Sequence, residues 1–363
     1  MPSRSSEETD RHWMLRALRL AKKGLLTTTP NPRVGCVMVR DGVLLAEGYH
    51  RKAGGPHAEI EALQQAPDAK GATVYVTMEP CAHFGKTPPC AQALVKAGVK
   101  KVIAAMIDPN PLVAGKGLAM LEAAGIEVET GLLEKEAKAL NRGFVARMTL
   151  ARPWVCLKLG ASLDGKIALK NGVSQWITND KARMDVHRLR ARSCAVLTGI
   201  GTVLADDCEL SVRHVRTSRQ PWRIVLDSYL KTPPTAKVLS ERTIVFCKPG
   251  QSRPLQNAEV LEVPEENGAL SLPDILQALA KRGINELLLE CGPTLAGAFL
   301  AQDLVDEVVL YYAPKFLGNS AKDMMRLPEL TDLQKAWHFQ LEETCRLGDN
   351  VRMTLRKKTC LLD

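Results

Sequence analysis

The sequence predicts an α/β protein of two domains, and three observations carry that prediction. Short apolar runs alternate with stretches of helical spacing along the whole chain, the pattern of strands and helices packed in layers. The length of 363 residues suggests two domains at roughly 150 residues each, both large enough to bury a core. The alternation also restarts near residue 150, which places the domains at 1–148 and 149–363.

In the first domain, Thr9 or Asp10 is expected to cap a helix whose Trp13, Met14, Ala17, Leu18 and Ala21 share one face, with Gly24 as its stop. Residues 34–39 and 43–46 read as a hairpin around Asp41-Gly42, a dipeptide suited to a two-residue turn. Helices are expected over 57–66, 89–97 and 117–124, and strands over 72–77, 101–106 and 126–128. Residues 141–153 read as a connection. In the second domain, strands are expected over 154–159, 194–198, 223–226, 243–247, 286–289, 307–311 and 351–355. Amphipathic helices are expected over 180–192, 272–281 and 294–301. No internal repeat or low-complexity tract is present.

At 45% hydrophobic and 25% charged residues, the bulk of the chain is too apolar to be disordered. No apolar run approaches the roughly 20 residues that span a bilayer, and the first residues carry no apolar signal core. The cytoplasm is therefore the expected compartment, with the 10 cysteines as thiols or metal ligands. The net charge of +9 is spread over both halves without a basic arm, which favours small anionic ligands over a nucleic-acid stripe.

The strongest chemical signal is His57-Ala58-Glu59, followed by Pro80-Cys81 and then Cys90. This is the order of a zinc deaminase site. Two thiolates and an imidazole hold zinc with an open fourth position. A water there has its pKa lowered toward neutrality, and a carboxylate that is not a ligand, Glu59, can carry protons to the leaving amine. A closed structural site would need a fourth ligand, for which His83 and the more remote Cys36 are the candidates. Eight residues separate Cys81 from Cys90, where the general signature has two, so this loop must bulge and bring His83 and Lys86 near the metal.

The string Pro80-Cys81-Ala82-His83-Phe84-Gly85-Lys86-Thr87-Pro88-Pro89-Cys90, with His57-Ala58-Glu59, Pro30-Asn31-Pro32-Arg33-Val34-Gly35 and Asp108-Pro109-Asn110-Pro111, resembles the bifunctional riboflavin-biosynthesis deaminase–reductases. The resemblance implies a cytidine-deaminase-like, three-layer first domain that removes an amino group from a diaminopyrimidinone carrying a ribosyl phosphate. It implies that His57, Cys81 and Cys90 bind zinc, that Glu59 is the proton shuttle, and that Asn31, His50, His83 and Lys86 line the pocket. The last two would lie nearest the phosphate.

The second half has no G-x-G-x-x-G after its first strand, so a Rossmann site is not indicated. Two Gly-bearing turns instead follow strands, at 197–203 and 290–297, and backbone N–H groups at such turns can hold phosphate. The resemblance continues through Lys158-Leu159-Gly160-Ala161-Ser162-Leu163-Asp164-Gly165-Lys166, Ser174-Gln175-Trp176-Ile177-Thr178 and Val203-Leu204-Ala205-Asp206-Asp207. It implies a dihydrofolate-reductase-like domain using NADPH. Cofactor contacts would come from Gly160, Trp176, Thr202, Asp206, Gly292, Pro293, Thr294, Leu295, Ala296, Gly297 and Ala298. Substrate contacts would come from Ser174, Arg190, Leu210, Arg213 and Glu290, the two arginines offering planar forks suited to phosphate. Lys158, Asp206 and Glu290 are candidates for placing the proton during reduction, and Asp164 reads as a loop-fixing residue. His187, His214 and His338 read as structural or surface histidines, and Cys194, Cys247 and Cys291 as small buried hydrophobes.

The partner class is thus a phosphorylated pyrimidine, with no nucleic acid and no membrane, and the family's pairing reductase domains imply a homo-oligomer. The rival readings are a nucleic-acid base deaminase with an RNA-binding domain and a binding protein with structural zinc. Aromatics at 4% leave little for base stacking, and a closed zinc site has no use for Glu59.

Overall fold

The computed structural model describes residues 6–82, 89–111 and 113–358. The chain separates into two compact units, the first running to Ala151 and the second starting at Arg152.

The first unit consists of α1 (Ser6–Lys22), β1 (Gly35–Arg40), β2 (Val43–Tyr49), α2 (Ala58–Leu63), β3 (Thr73–Val76), α3 (Cys90–Lys96), β4 (Lys101–Ala104), α4 (Lys116–Ala123), β5 (Glu127–Thr130), α5 (Glu134–Leu140) and α6 (Arg142–Leu150). Its five-stranded sheet has the order β2-β1-β3-β4-β5. The first two pairings are antiparallel, and β3, β4 and β5 run parallel. Asp41 and Gly42 take φ of 52° and 76° at the β1–β2 turn, the left-handed pair that a two-residue hairpin demands. Strand β1 is buried on both faces. Its Cys36 and Met38 pack with Ala58, Ala62, Ala91 and Leu94 of α2 and α3, while α1 lies against β1, β2 and β3. The result is three layers with the sheet in the middle.

Two expectations fail here. Helix α1 begins at Ser6, not after Thr9 or Asp10. Asp10 sits inside it, its carboxylate accepting a 2.5 Å hydrogen bond from the Tyr75 hydroxyl, so a long-range partner outcompetes the capping role. Residues 141–153 are not a bare connection, because α6 fills most of them and buries Phe144, Val145 and Ala146. Arg142 and Arg147 break the apolar spacing that would reveal it. Asn141, just before α6, is buried; it accepts from the Arg33 amide at 2.8 Å and donates to the Arg33 carbonyl at 2.9 Å.

The second unit consists of β6 (Trp154–Ser162), β7 (Lys166–Ala168), α7 (Asp180–Arg192), β8 (Ala195–Gly199), α8 (Ile200–Asp206), β9 (Trp222–Leu226), β10 (Thr243–Cys247), β11 (Glu259–Glu262), β12 (Glu265–Glu266), β13 (Ala269–Leu270), α9 (Leu272–Lys281), β14 (Glu286–Leu289), α10 (Pro293–Ala301), β15 (Glu307–Ala313), β16 (Lys322–Asp323), β17 (Phe339–Leu347) and β18 (Asn350–Lys357). A nine-stranded sheet has the order β11-β10-β9-β8-β14-β6-β15-β18-β17. It is parallel from β11 to β15 and antiparallel through β18 and β17. Successive residues of β14 face opposite layers. Leu287 and Leu289 join α9 and α10, whereas Leu288 joins Ala182 and Val186 of α7. That two-sided burial explains why the parallel strands read as continuous apolar runs. Asp164 accepts from the backbone N–H groups of Leu317 and Gly318 at 3.1 and 2.8 Å and so ties two loops together.

The position of α2 rests on the absence of a side chain at Gly48. A Cβ there would stand 2.4 Å from the Ala58 carbonyl oxygen and 2.7 Å from the Ala62 nitrogen. Gly48→Ala should therefore push α2 off the sheet, cost about 1–3 kcal/mol as an overpacking change, and reduce metal content. Thermal unfolding with metal analysis of the same samples checks this; unchanged stability with unchanged metal would contradict it.

Candidate functional site

In the first unit the chemistry collects where two helices begin. His57 is the N-cap of α2 and Cys90 the first residue of α3, while Cys81 follows the end of β3. His57 Nδ1 lies 3.2 Å from Cys90 Sγ and 3.6 Å from Cys81 Sγ, and the three donor atoms all lie within 4.8 Å of one another. Among the described residues no fourth His, Cys, Asp or Glu joins them. Cys36 is buried in β1, outside the cluster; His83 and Lys86 lie outside the described residues. One imidazole and two sulfurs at this spacing fit a tetrahedral zinc with one position left open.

The electrostatics suit the same ion. Hydrogen bonding from Cys90 outweighs burial and, with His57, holds the Cys81 thiol below its ordinary range, while the Cys90 thiol moves up as the donor in that pair. Glu59 is buried without a cationic side chain bonded to it. Burial pushes its carboxyl up to about 7, against the opposing pull of His57. The Nδ1–H of His50 donates to the Pro56 carbonyl at 2.8 Å, so its Nε2 accepts from the Asn31 amide at 3.1 Å. Burial lowers its pKa, consistent with a neutral ring. The His50 ring stands edge-on to His57 at 5.4 Å, so Asn31 and His50 do meet the metal cluster.

Glu79 was not singled out from sequence. It is buried, and its carboxylate accepts from the backbone N–H groups of Asp108, Gly115 and Gly117 at 3.1, 3.0 and 2.8 Å. It thereby fastens the segment carrying Asp108-Pro109-Asn110-Pro111 beneath Pro80 and Cys81.

In the second unit a cavity of about 930 Å³ opens at the carboxyl ends of β8 and β14, where open α/β sheets bind ligands. Gly160, Trp176, Thr202, Asp206, Gly292, Pro293, Thr294 and Leu295 line it, as do Ser174, Arg190, Leu210, Arg213 and Glu290. Ala296, Gly297 and Ala298 do not. They belong to the body of α10, where Ala296 and Gly297 are buried and a Cβ on Gly297 would stand 1.8 Å from the Arg326 carbonyl oxygen. Gly297 serves close packing there, so a motif read as one phosphate turn divides into a lining half and a structural half. Cys291 and His187 line the cavity too, although both read from sequence as ordinary structural residues.

Glu290 is buried among cations. Arg190 donates to it through Nε at 2.5 Å and Nη2 at 3.0 Å, and Lys158 Nζ lies 3.4 Å from its Oε2. Burial would raise its pKa, but Arg190 and then Lys158 hold it at about 2. The Arg190 Nη1 donates to the Ser211 carbonyl at 2.9 Å. Three of the five N–H donors of Arg190 are thus engaged on a carboxylate and a carbonyl.

Comparison with known proteins agrees with this geometry. The family of the cytidine and deoxycytidylate deaminase zinc-binding region matches residues 7–106, and the RibD C-terminal domain matches 153–353. The riboflavin biosynthesis protein RibD of Escherichia coli K12 is 47% identical over 362 residues, covering 95% of this chain and 99% of its own length. The chain belongs to the RibD family. RibD from Haemophilus influenzae is also 47% identical, over 95% of this chain and 97% of its own. The structure of Acinetobacter baumannii RibD, form 1, is 46% identical with a TM-score of 0.91, covering 98% of this chain and all of that one. A deaminase/reductase from Thermotoga maritima is 37% identical with a TM-score of 0.87, covering 97% of this chain and 100% of its own. As a RibD, the chain is a bifunctional deaminase and reductase of riboflavin biosynthesis, with zinc and NADPH as its cofactors.

The buried Glu290 generates a prediction. Arg190→Met leaves that carboxylate without its main partner and should cost about 3–5 kcal/mol; Arg190→Met with Glu290→Met should recover much of it. Because the folded pKa lies below the ordinary 4.5, the ionised form stabilises the fold above that pH. The contribution is lost as pH falls from there through about 2. Urea unfolding at stepped pH checks this. Equal acid sensitivity in wild type and Glu290→Gln would refute it.

Proposed function

We propose that the first unit hydrolyses the 2-amino group of 2,5-diamino-6-(5-phosphoribosylamino)pyrimidin-4(3H)-one and that the second reduces the ribosyl group of 5-amino-6-(5-phosphoribosylamino)uracil to ribityl. The Thermotoga maritima protein is named for a diaminohydroxyphosphoribosylaminopyrimidine deaminase and a 5-amino-6-(5-phosphoribosylamino)uracil reductase, which correspond to these two steps. The observation that carries the reading is Glu59, buried beside His57, Cys81 and Cys90 and outside the donor cluster. Purely structural zinc would not require it.

His57, Cys81 and Cys90 would hold zinc, whose Lewis acidity when bound would lower the pKa of a water. Glu59 takes the proton from the attacking water and delivers it to the departing nitrogen. The C–N bond breaks, a C–O bond replaces it, and ammonia leaves. His50 holds the Asn31 carboxamide against the pocket wall, where the pyrimidine ring would hydrogen-bond. His83 and Lys86 are assigned to the phosphate through the family resemblance.

In the second unit Gly292 to Leu295 and Thr202 would hold NADPH, which would supply a hydride to the carbon bonded to nitrogen. The C–O bond from that carbon to the ring oxygen would break, and the freed oxygen must take a proton from this chain. Of the three candidates for that proton, Glu290 is held ionised by Arg190, and Asp206 is exposed at the cavity edge. Lys158 Nζ, held by Glu290 inside the cavity, is the group we assign to donate it. Gly292 to Leu295 and Thr202 form the cofactor wall; Ser174, Leu210 and Arg213 form the substrate wall. We further infer a cytoplasmic homo-oligomer; no helix among the described residues is long and apolar enough to cross a membrane.

The full-length protein, given the diaminopyrimidinone phosphate and NADPH, should release ammonia and oxidise the cofactor in sequence. Glu59→Gln should retain zinc, lose about 10²–10⁴-fold of its ammonia release, and still oxidise NADPH when given the deaminated compound. Wild-type ammonia release in that variant would remove Glu59 from the chemistry.

A further inference from the structure

Helix α7 turns one face to the reductase cavity: Arg183, Val186, His187 and Arg190 all line it, at the spacing that stacks side chains on one side of a helix. Two of the three polar residues have committed donors. Arg190 gives three of its five N–H donors to Glu290 and Ser211, and Arg183 Nη1 donates to the Thr178 carbonyl at 2.8 Å, with its guanidinium stacked 4.2 Å over Trp176. His187 differs. The backbone N–H of Arg213 donates to its Nδ1 at 3.2 Å. A backbone amide can only donate, so Nδ1 carries no proton and the neutral ring carries its single N–H on Nε2. Among the described residues nothing accepts from that Nε2. The ring is also fixed in rotation, standing edge-on to His214 at 4.6 Å and 87°.

We propose that His187 is a further substrate-binding residue of the reductase, its Nε2–H donating to the phosphate of the pyrimidine substrate beside Arg213. The inference rests on the reading of this cavity as the reductase site. A phosphate is an obligate acceptor with several lone pairs to satisfy, and Arg190 already gives three of its five N–H donors to Glu290 and Ser211. Arg213 has only Nη1 engaged among the described residues, on Glu209 at 2.6 Å and Ser211 Oγ at 3.2 Å. The nearby Glu209 repels an anion, so Arg213 needs a second donor to hold one. His187 is rigidly tied to the Arg213 backbone and offers that donor. Burial and then Arg190 push its pKa down to about 4, so it stays a neutral, single-tautomer donor at neutral pH.

Two substitutions separate donating to substrate from propping Arg213. Asparagine can replace Nδ1 and keep the Arg213 amide satisfied, while glutamine places an N–H near Nε2. In full-length protein, NADPH oxidation is followed with the deaminated pyrimidine as its phosphate and in dephosphorylated form. His187→Asn should raise KM for the phosphate about tenfold, the loss of one hydrogen bond to a charged group. KM for the dephosphorylated compound and for NADPH should hold, and His187→Gln should recover most of the loss. Retention by Asn with loss in Gln would reduce His187 to a prop; a rise confined to NADPH, or equal for both pyrimidines, would also overturn the proposal. Should Asn unfold the domain, nitrogen-15 NMR of the wild-type His187 ring decides. Its Nε2–H signal should move with the phosphorylated compound and not with the other, and no movement overturns the proposal. Wild-type protein that oxidises no NADPH with either pyrimidine would instead overturn the reductase reading, and this proposal with it.

Discussion

A carboxylate taken out of water must find donors or cations, or else stop being a carboxylate. Three buried glutamates of this chain answer that constraint in three ways, and each answer sets a function. Glu290 is surrounded by Arg190 and Lys158 and remains ionised. Glu79 satisfies itself on three backbone N–H groups and becomes an anchor. Glu59 has only its own amide and the Cys90 thiol as donors and the pull of His57, which burial outweighs, so its proton affinity rises. Exchange any two of these environments and the chemistry fails. A cation beside Glu59 would hold it ionised through the cycle, and an unpartnered Glu290 would take up a proton and release its hold on Lys158.

The two active sites therefore contrast in kind. Deamination needs a group that changes protonation state, the role proposed for Glu59, which stands at the start of α2 beside the His57, Cys81 and Cys90 cluster. Reduction needs charge that stays in place while a hydride and a proton arrive separately. The Arg190–Glu290 pair, from α7 and the end of β14, provides that fixed charge beside Lys158 of β6, the group assigned above to give up a proton. A low local dielectric makes such an array effective only when every member is paired.

Legibility from sequence followed the range of the interactions. The His57, Cys81 and Cys90 cluster could be read because zinc demands particular donors in a particular order, and because helix starts are local events. The Asp41-Gly42 turn could be read for the same reason. Helix α6 could not, since its burial comes from Phe144 to Ala146 in one short run rather than from a repeating stripe. The fate of Arg190 was equally hidden. Its residue type suits a phosphate, and nothing local announces that a carboxylate 100 positions away in sequence takes two of its donors. The surroundings of His187 were hidden for the complementary reason: its partner is a backbone amide of Arg213, which no side-chain pattern announces.

The same logic explains why the Gly292-to-Ala298 stretch carries two roles within seven residues. Its first four members stand at the mouth of α10, where backbone donors are not yet used by the helix and a ligand can take them. By Ala296 the intrahelical bonds have begun, with the Ala296 amide donating to the Gly292 carbonyl at 3.1 Å. From there the small residues matter only for what they let approach, which for Gly297 is the backbone of Arg326. A glycine-rich motif is thus two statements joined end to end. One is about donors left open to a ligand, the other about space left open to a neighbouring strand of chain, and only the first is chemistry.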